Sequence, residues 1–178
     1  MKSLKKARLH FKTITKHRHL VMINCFRAGI PIQGLKHDLS KYSPVEFLAG
    51  AKYYLGDKSP NVAERIDKGY SSAWLHHKGR NKHHYEYWND INPKSLKIEP
   101  VEMPNKYVIE MFCDRIAASK VYKGAEYTDA TPLGYFSMHD HSHDMHPATS
   151  ELLGTLLTML AEKGERKTFR YIRHHVKK

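Results

Sequence analysis

The 178-residue sequence predicts an all-α, single-domain protein, and three observations carry that prediction. Apolar residues recur at three- and four-residue steps, the period of helices that bury one face. Proline and glycine punctuate the chain where helices would start and stop. Strand-like alternation is nearly absent, and neither a repeat nor a domain boundary interrupts the pattern. A chain of this length buries roughly two thirds of its unfolded surface in one core, and 40% hydrophobic with 27% charged residues suits a folded chain.

Taken in order, Leu4, Ala7, Phe11, Ile14, Val21, Met22, Cys25 and Phe26 form a stripe that predicts a helix over residues 3–28. Gly29 and Pro31 stop it. A short helix is expected over 35–41, then a third opened by Ser43 and Pro44 as N-cap and first-turn residue. After the loop "GDKSPN", Ser59 or Asn61 caps a helix whose apolar face, Val62, Ile66, Tyr70, Ala73 and Trp74, runs up to His76 and His77. "HHYEYW" resumes a helical turn, and residues 89–104 read as a proline-marked connection able to lie over the surface as a flap. Pro104 opens a helix with Tyr107, Val108, Met111, Phe112 and Ala118 inward. An irregular His-rich stretch follows, and Thr149 or Ser150 starts a last helix that ends at Gly164 before a basic helical tail.

Thirty Lys+Arg against eighteen Asp+Glu give +12, a field that attracts nucleic acid, nucleotides or other phosphorylated ligands. Two cysteines, Cys25 and Cys113, make no disulfide framework and fit a reducing cytoplasm. The basic N-terminus lacks the apolar region of a secretory signal and no stretch reaches membrane-spanning length, so a soluble, unprocessed protein with no membrane partner is expected. Fourteen histidines, thirteen of them at 17/19, 37, 76/77, 83/84, 139/141/143/146 and 174/175, point to metal. No P-loop, dinucleotide fingerprint, G-x-S-x-G or CxxC competes with them.

The densest chemistry is "LKHDLSKYSPVEF", residues 35–47. On a helix, His37 and Asp38 would point about 100° apart and share a cation only at the helix edge. A buried His-Asp pair without a cation would need other partners, because an unpaired buried carboxylate is costly. Lys41 falls on the same side, where its ammonium could neutralise a bound phosphate.

His19 in "HRHLV", the dipeptide and lysine of "HDLSK", and Asp114 in "EMFCDRIAAS" together resemble the H…HD…D signature of HD-domain metal-dependent phosphohydrolases. "HDLSK" is similar to the HDxGK form, with Ser40 where glycine is usual, and "WLHHKGRNKHHYEYW" resembles the additional histidines of binuclear members. The likeness covers residues 17–118 and leaves those after 125 outside it. It implies one metal held by His19, His37, Asp38 and Asp114, with Asp38 bridging to a second held by one histidine from His76/His77 and one from His83/His84. One or two divalent transition metals, Fe, Mn, Zn, Co or Ni, suit such mixed N/O donors. They would activate a water against a small phosphorylated substrate. Asp38, Lys41 and Glu46 are then the catalytic candidates. Lys41, Lys78, Arg80, Lys82 and Arg115 are those for substrate contacts, with Arg115 alternatively supporting Asp114.

Plainer readings stand beside these. His17 is the alternative to His19, and His19 is favoured because it directly precedes the apolar "LVMINCF" run. One of His76 and His77 serves as a helix cap, Asp114 could pair only with Arg115 or a lysine, and Glu46 or Glu110 could support the site from behind. "MHDHSHDMH", residues 138–146, reads as a solvated loop, with a lid as the alternative. Trp74, Trp88, Tyr85 and Tyr87 read as core or pocket wall. Three rival functions are an HD-fold diiron oxygenase, a basic nucleic-acid-binding module, and a metal-stabilised structural or phage accessory protein.

Overall fold

The first helix, α1 (Lys2–Ala28), sends one stripe inward: His10, Ile14, His17, Val21, Cys25 and Ala28 are buried at steps of three and four residues. Leu4, Phe11 and Phe26, expected on that stripe, are exposed. The computed structural model describes residues 2–138 and 144–177 and is 72% helical, so the all-α expectation holds.

Gly29, at φ +82, makes the left-handed stop after α1, and Pro31 opens α2 (Pro31–Lys36) rather than merely ending its predecessor. The expected helix over 35–41 does not form as one piece. α2 stops at Lys36, and a 3₁₀ turn over Leu39–Tyr42 follows. Ser43 caps α3 (Pro44–Lys52) by accepting the Glu46 backbone N–H, and Ser59 caps α4 (Pro60–Lys68) in the same way from Asn61.

The helix read through to His77 is two. Gly69, in the left-handed region, ends α4, and the Ser71 hydroxyl accepts from the Trp74 N–H to start α5 (Ser72–Lys78). Their junction is held by Glu64, which accepts from the Ser71 and Ser72 hydroxyls and the Ala73 N–H at the start of α5. Val62, Ile66 and Tyr70, read as an inward face, are exposed instead.

After a 3₁₀ turn at Tyr85–Tyr87, the expected surface connection contains a hairpin. β1 (Asn89–Ile91) pairs antiparallel with β2 (Ile98–Pro100), Asp90 opposite Glu99. α6 (Asn105–Lys123) is nearly encircled by protein, with Val108, Phe112, Cys113, Ile116 and Ala117 fully buried. The stretch read as irregular contains α7 (Thr131–Ser137), while residues 139–143, the middle of the expected loop or lid, lie outside the described residues. α8 (Pro147–Tyr171) breaks at Gly164, φ 76 and ψ 165, where the sequence expectation placed its end. A π-helical turn, Ile172–Val176, finishes the described chain.

The apolar core lies among α1, α6 and α8, and Cys25 and Cys113 are free thiols buried within it. α2 and α3 pack along α1, α5 packs on α3, and the polar cluster described next draws side chains from α1, α5 and α6. No helix among the described residues is long and apolar enough to cross a membrane.

Candidate metal centre

The His37-Asp38 pair works through a break in the helix, not along one. His37 is extended (φ −52, ψ 128) and Asp38 is left-handed (φ 53, ψ 26). A non-glycine residue held there carries a strain of about 1–3 kcal/mol, and Asp tolerates it better than most. Arg18 of α1 secures the break by donating to the Leu35 carbonyl at 2.6 Å and the His37 carbonyl at 3.1 Å. The helical 100° argument therefore does not apply: a chain reversal, not helix pitch, brings the two side chains together.

Asp38 is the hub. Its Oδ2 lies 3.2 Å from His37 Nε2 and 3.7 Å from His17 Nε2, while Asp114 Oδ1 lies 2.9 Å from His17 Nε2 and 3.6 Å from His37 Nε2. Its Oδ1 faces the other way, 3.3 Å from His77 Nε2 and 3.5 Å from His83 Nε2. Two four-residue sets result, His17/His37/Asp38/Asp114 and Asp38/His77/His83/His84, the donor atoms of each within 4.8 Å of one another. Four donors about 2.0–2.1 Å from a tetrahedral ion would stand roughly 3.3 Å apart. The measured separations bracket that spacing.

Five of the donor atoms are also orphans. His17 Nε2, His37 Nε2, Asp38 Oδ1, His83 Nε2 and His84 Nε2 are buried with no hydrogen-bond partner among the described residues. Buried polar atoms are nearly always bonded, so five converging orphans fit two cations held by histidine and carboxylate. Burial alone would raise the Asp38 and Asp114 carboxyls. His37, Lys41 and His77 hold Asp38, and His17 and His37 hold Asp114, well below the usual carboxylate range. Burial, with His83 and His77 close by, pushes His84 well down and leaves its imidazole neutral, the state in which it can be a ligand.

Two glutamates orient the rings from behind. Glu110 Oε1 accepts from both His37 Nδ1, at 2.9 Å, and His83 Nδ1, at 3.1 Å, so one carboxylate aims one ring into each set. Glu46 accepts from His76 Nδ1 at 2.6 Å and His77 Nδ1 at 2.8 Å. Fixing Nδ1–H in this way aims Nε2 into the cluster and would raise its basicity toward a bound ion. Burial would raise the Glu46 carboxyl, but His77 and His76 hold it below its ordinary value, and with both oxygens bonded to these rings Glu46 stands behind them, the supporting placement weighed beside its role as a catalytic candidate. Ser40, the departure from glycine in the motif, accepts from Asn81 Nδ2 at 2.8 Å and lies 3.3 Å from His77 Nδ1.

Other expectations need correction. His17, not His19, enters the cluster, and His19 is exposed on α1. His76 bonds Glu46 from outside both sets, whereas His83 and His84 both belong to the second. Beside the cluster lies a cavity of about 240 Å³, walled by Tyr54, Trp74 and Tyr122 and supplied with cations by Lys41 and Lys58. Lys41 Nζ sits 2.6 Å from Asp38 Oδ2; burial would lower its pKa, but Asp38 and Asp114 hold it above the ordinary lysine value. Lys78, Arg80, Lys82 and Arg115 do not line this cavity. Arg80 donates to the His76 carbonyl, Lys82 lies over Tyr87, and Arg115 lies over Phe136 at 5.4 Å.

Two residues on the cavity side escaped the sequence reading. His10 lines the wall, its pKa lowered to about 4 by burial and by Lys41, and Gly50 makes room for it, since a Cβ there would meet His10 Nε2 at 2.2 Å. The helical step from Ile14 back to His10 was the available signal.

Fold and site together define a helical protein organised around a buried double histidine–carboxylate cluster. A model for a family of unknown function, DUF5662, matches residues 6–159, and the chain belongs to that family. No curated protein and no solved structure matches the chain.

Proposed function

We propose that this protein is a metal-dependent phosphohydrolase, a phosphatase or phosphodiesterase acting on a nucleotide or another small phosphorylated compound. The observation that carries the reading is the division of Asp38, with Oδ1 and Oδ2 each facing its own set of histidines. The likeness of "HDLSK" and the distant Asp114 to HD-domain phosphohydrolases supports it further.

His17, His37, Asp38 and Asp114 would hold one divalent ion, and Asp38, His77, His83 and His84 a second. A pair of ions so held supplies Lewis acidity, lowering the pKa of a water and polarising phosphoryl oxygens. The chain's own residues do the rest. Lys41, protonated at the cavity floor, neutralises an incoming phosphate, and Lys58 lies on the same wall. Tyr54, Trp74 and Tyr122 offer apolar surface to the remainder of the substrate. Glu46 and Glu110 keep the rings aimed. Two free buried thiols suit a reducing, cytoplasmic setting.

The test compares wild type with Asp38→Ala by elemental analysis beside a panel of phosphomonoesters and phosphodiesters. Loss of both ions and of turnover together is the expected result. Equal metal content in the two proteins removes the site, and a fully loaded wild type inert toward every ester, yet consuming dioxygen with iron, replaces hydrolysis with oxygenase chemistry.

A further inference from the structure

A second concavity, about 290 Å³, opens where the end of α1 meets the C-terminal part of α8. Arg27, Arg166, Arg170, Arg173 and His174 line it, and Phe169 forms its apolar base. The three arginines of the C-terminal segment recur at steps of four and three, which places them along one helical face. Arg27 lies ten residues, roughly 15 Å, along α1 from His17, so this is not part of the histidine cluster.

The charges here are not balanced from within. Arg27 is stacked over Phe169 at 4.3 Å and bonds Glu165 at 2.5 Å. Glu165 is already occupied, since Lys120 and the Tyr127 hydroxyl also bond it. Among the described residues no carboxylate lies within ion-pair distance of Arg166, Arg170 or Arg173, and all three are exposed. Converging unpaired guanidinium groups repel one another, and an anion relieves that repulsion. Guanidinium forks match phosphate oxygens two at a time. Residues 166 to 173 extend over roughly 10 Å of helix, too far for one phosphate to engage them all.

We propose that this concavity is an anion site, separate from the metal centre, that holds phosphates in series. Two sources share that chemistry, a free polyphosphate and the backbone of a single-stranded nucleic acid. The site stands whether or not the histidine cluster hydrolyses anything.

Binding is measured in excess chelator, so that the metal centre is silent, with inorganic tripolyphosphate by calorimetry and a short fluorescent oligothymidylate by anisotropy. Wild type should bind at least one probe, and Arg170→Glu/Arg173→Glu should weaken it roughly tenfold or more and flatten the salt dependence by about one to two units of slope. Asp38→Ala should bind as wild type does, which separates this site from the hydrolytic proposal. Arginine-dependent binding of tripolyphosphate alone identifies a free polyphosphate as the ligand, and of the oligonucleotide alone a nucleic-acid backbone. Binding of neither probe overturns the proposal. So does binding that survives the double substitution, or that falls equally in Lys5→Glu/Lys6→Glu on the far end of α1. Should the charge-reversed variant fail to fold, Arg170→Gln/Arg173→Gln removes charge without adding any and should lose affinity in the same direction; unchanged binding there overturns the proposal as well.

Discussion

Replacing Glu110 by glutamine should weaken both ligand sets at once. Its Oε1 receives Nδ1–H from His37, whose Nε2 serves one set, and from His83, whose Nε2 serves the other. Glutamine keeps the shape and one acceptor oxygen but removes the charge. A bond to a charged group contributes about 1.5–3 kcal/mol and a neutral one about 0.5–1.5 kcal/mol. Each ring therefore loses about 1 kcal/mol of orientation, a roughly fivefold weaker affinity per set. Glu46→Gln is the internal contrast, because Glu46 bonds His77 and His76 and touches no ring of the His17/His37 set. Competition titration of Zn(II) or Mn(II) against a chromophoric chelator resolves two binding constants for each protein. An E110Q protein with one constant unchanged, or an E46Q protein whose two constants fall equally, would refute the positioning argument.

Two further outcomes are expected. His17→Ala should lower affinity at one set by roughly a hundredfold or more, beyond the loss typical of supporting residues, while His19→Ala leaves metal content after dialysis unchanged, since His19 is exposed. Glu64→Gln should cost about 1–3 kcal/mol at neutral pH, a fall of about 2–12 °C in Tm. Burial would raise the Glu64 carboxyl, but Ser71, Ser72, Lys68 and the Ala73 N–H bring it from 4.5 to about 2. A depressed folded pKa stabilises fully above the unfolded value and is lost as pH falls through the folded one. The gap between the two melting curves should accordingly close between pH 4.5 and 2.

The residue types that gather in the cluster were legible in the sequence, and their geometry was legible only in part. Ser43-Pro44 announced one helix start, and Ser59, one of the two caps weighed for the next, is the cap found, because capping is a local interaction between neighbours in sequence. The choice between His17 and His19 was not local. The apolar run after His19 suggested the wrong partner, whereas the buried spacing Ile14, His17, Val21, Cys25 places His17 on the face that meets α6. The left-handed Asp38 could not be read either, since the Arg18 latch that secures it comes from another helix. Gly69 and Ser71 are ordinary stop and start signals, and reading through them misplaced Ile66 on an inward face. Lys78, Arg80 and Lys82 were drawn toward the site by closeness in sequence to His77, but Lys78 ends α5, Arg80 and Lys82 follow in the turn beyond it, and none of the three lines the cavity.

The ligand atoms come from five separate stretches of chain: α1, the 37–38 break, α5, the 83–84 turn and α6. No stretch supplies more than two of the residues that carry them, so a partly folded chain offers no foothold of comparable strength. On the proposed reading, ion capture would thus report completion of the tertiary structure, not the presence of helices. It would also act as a ratchet on the finished state, because each tenfold rise in free ion above its dissociation constant would add about 1.4 kcal/mol against unfolding.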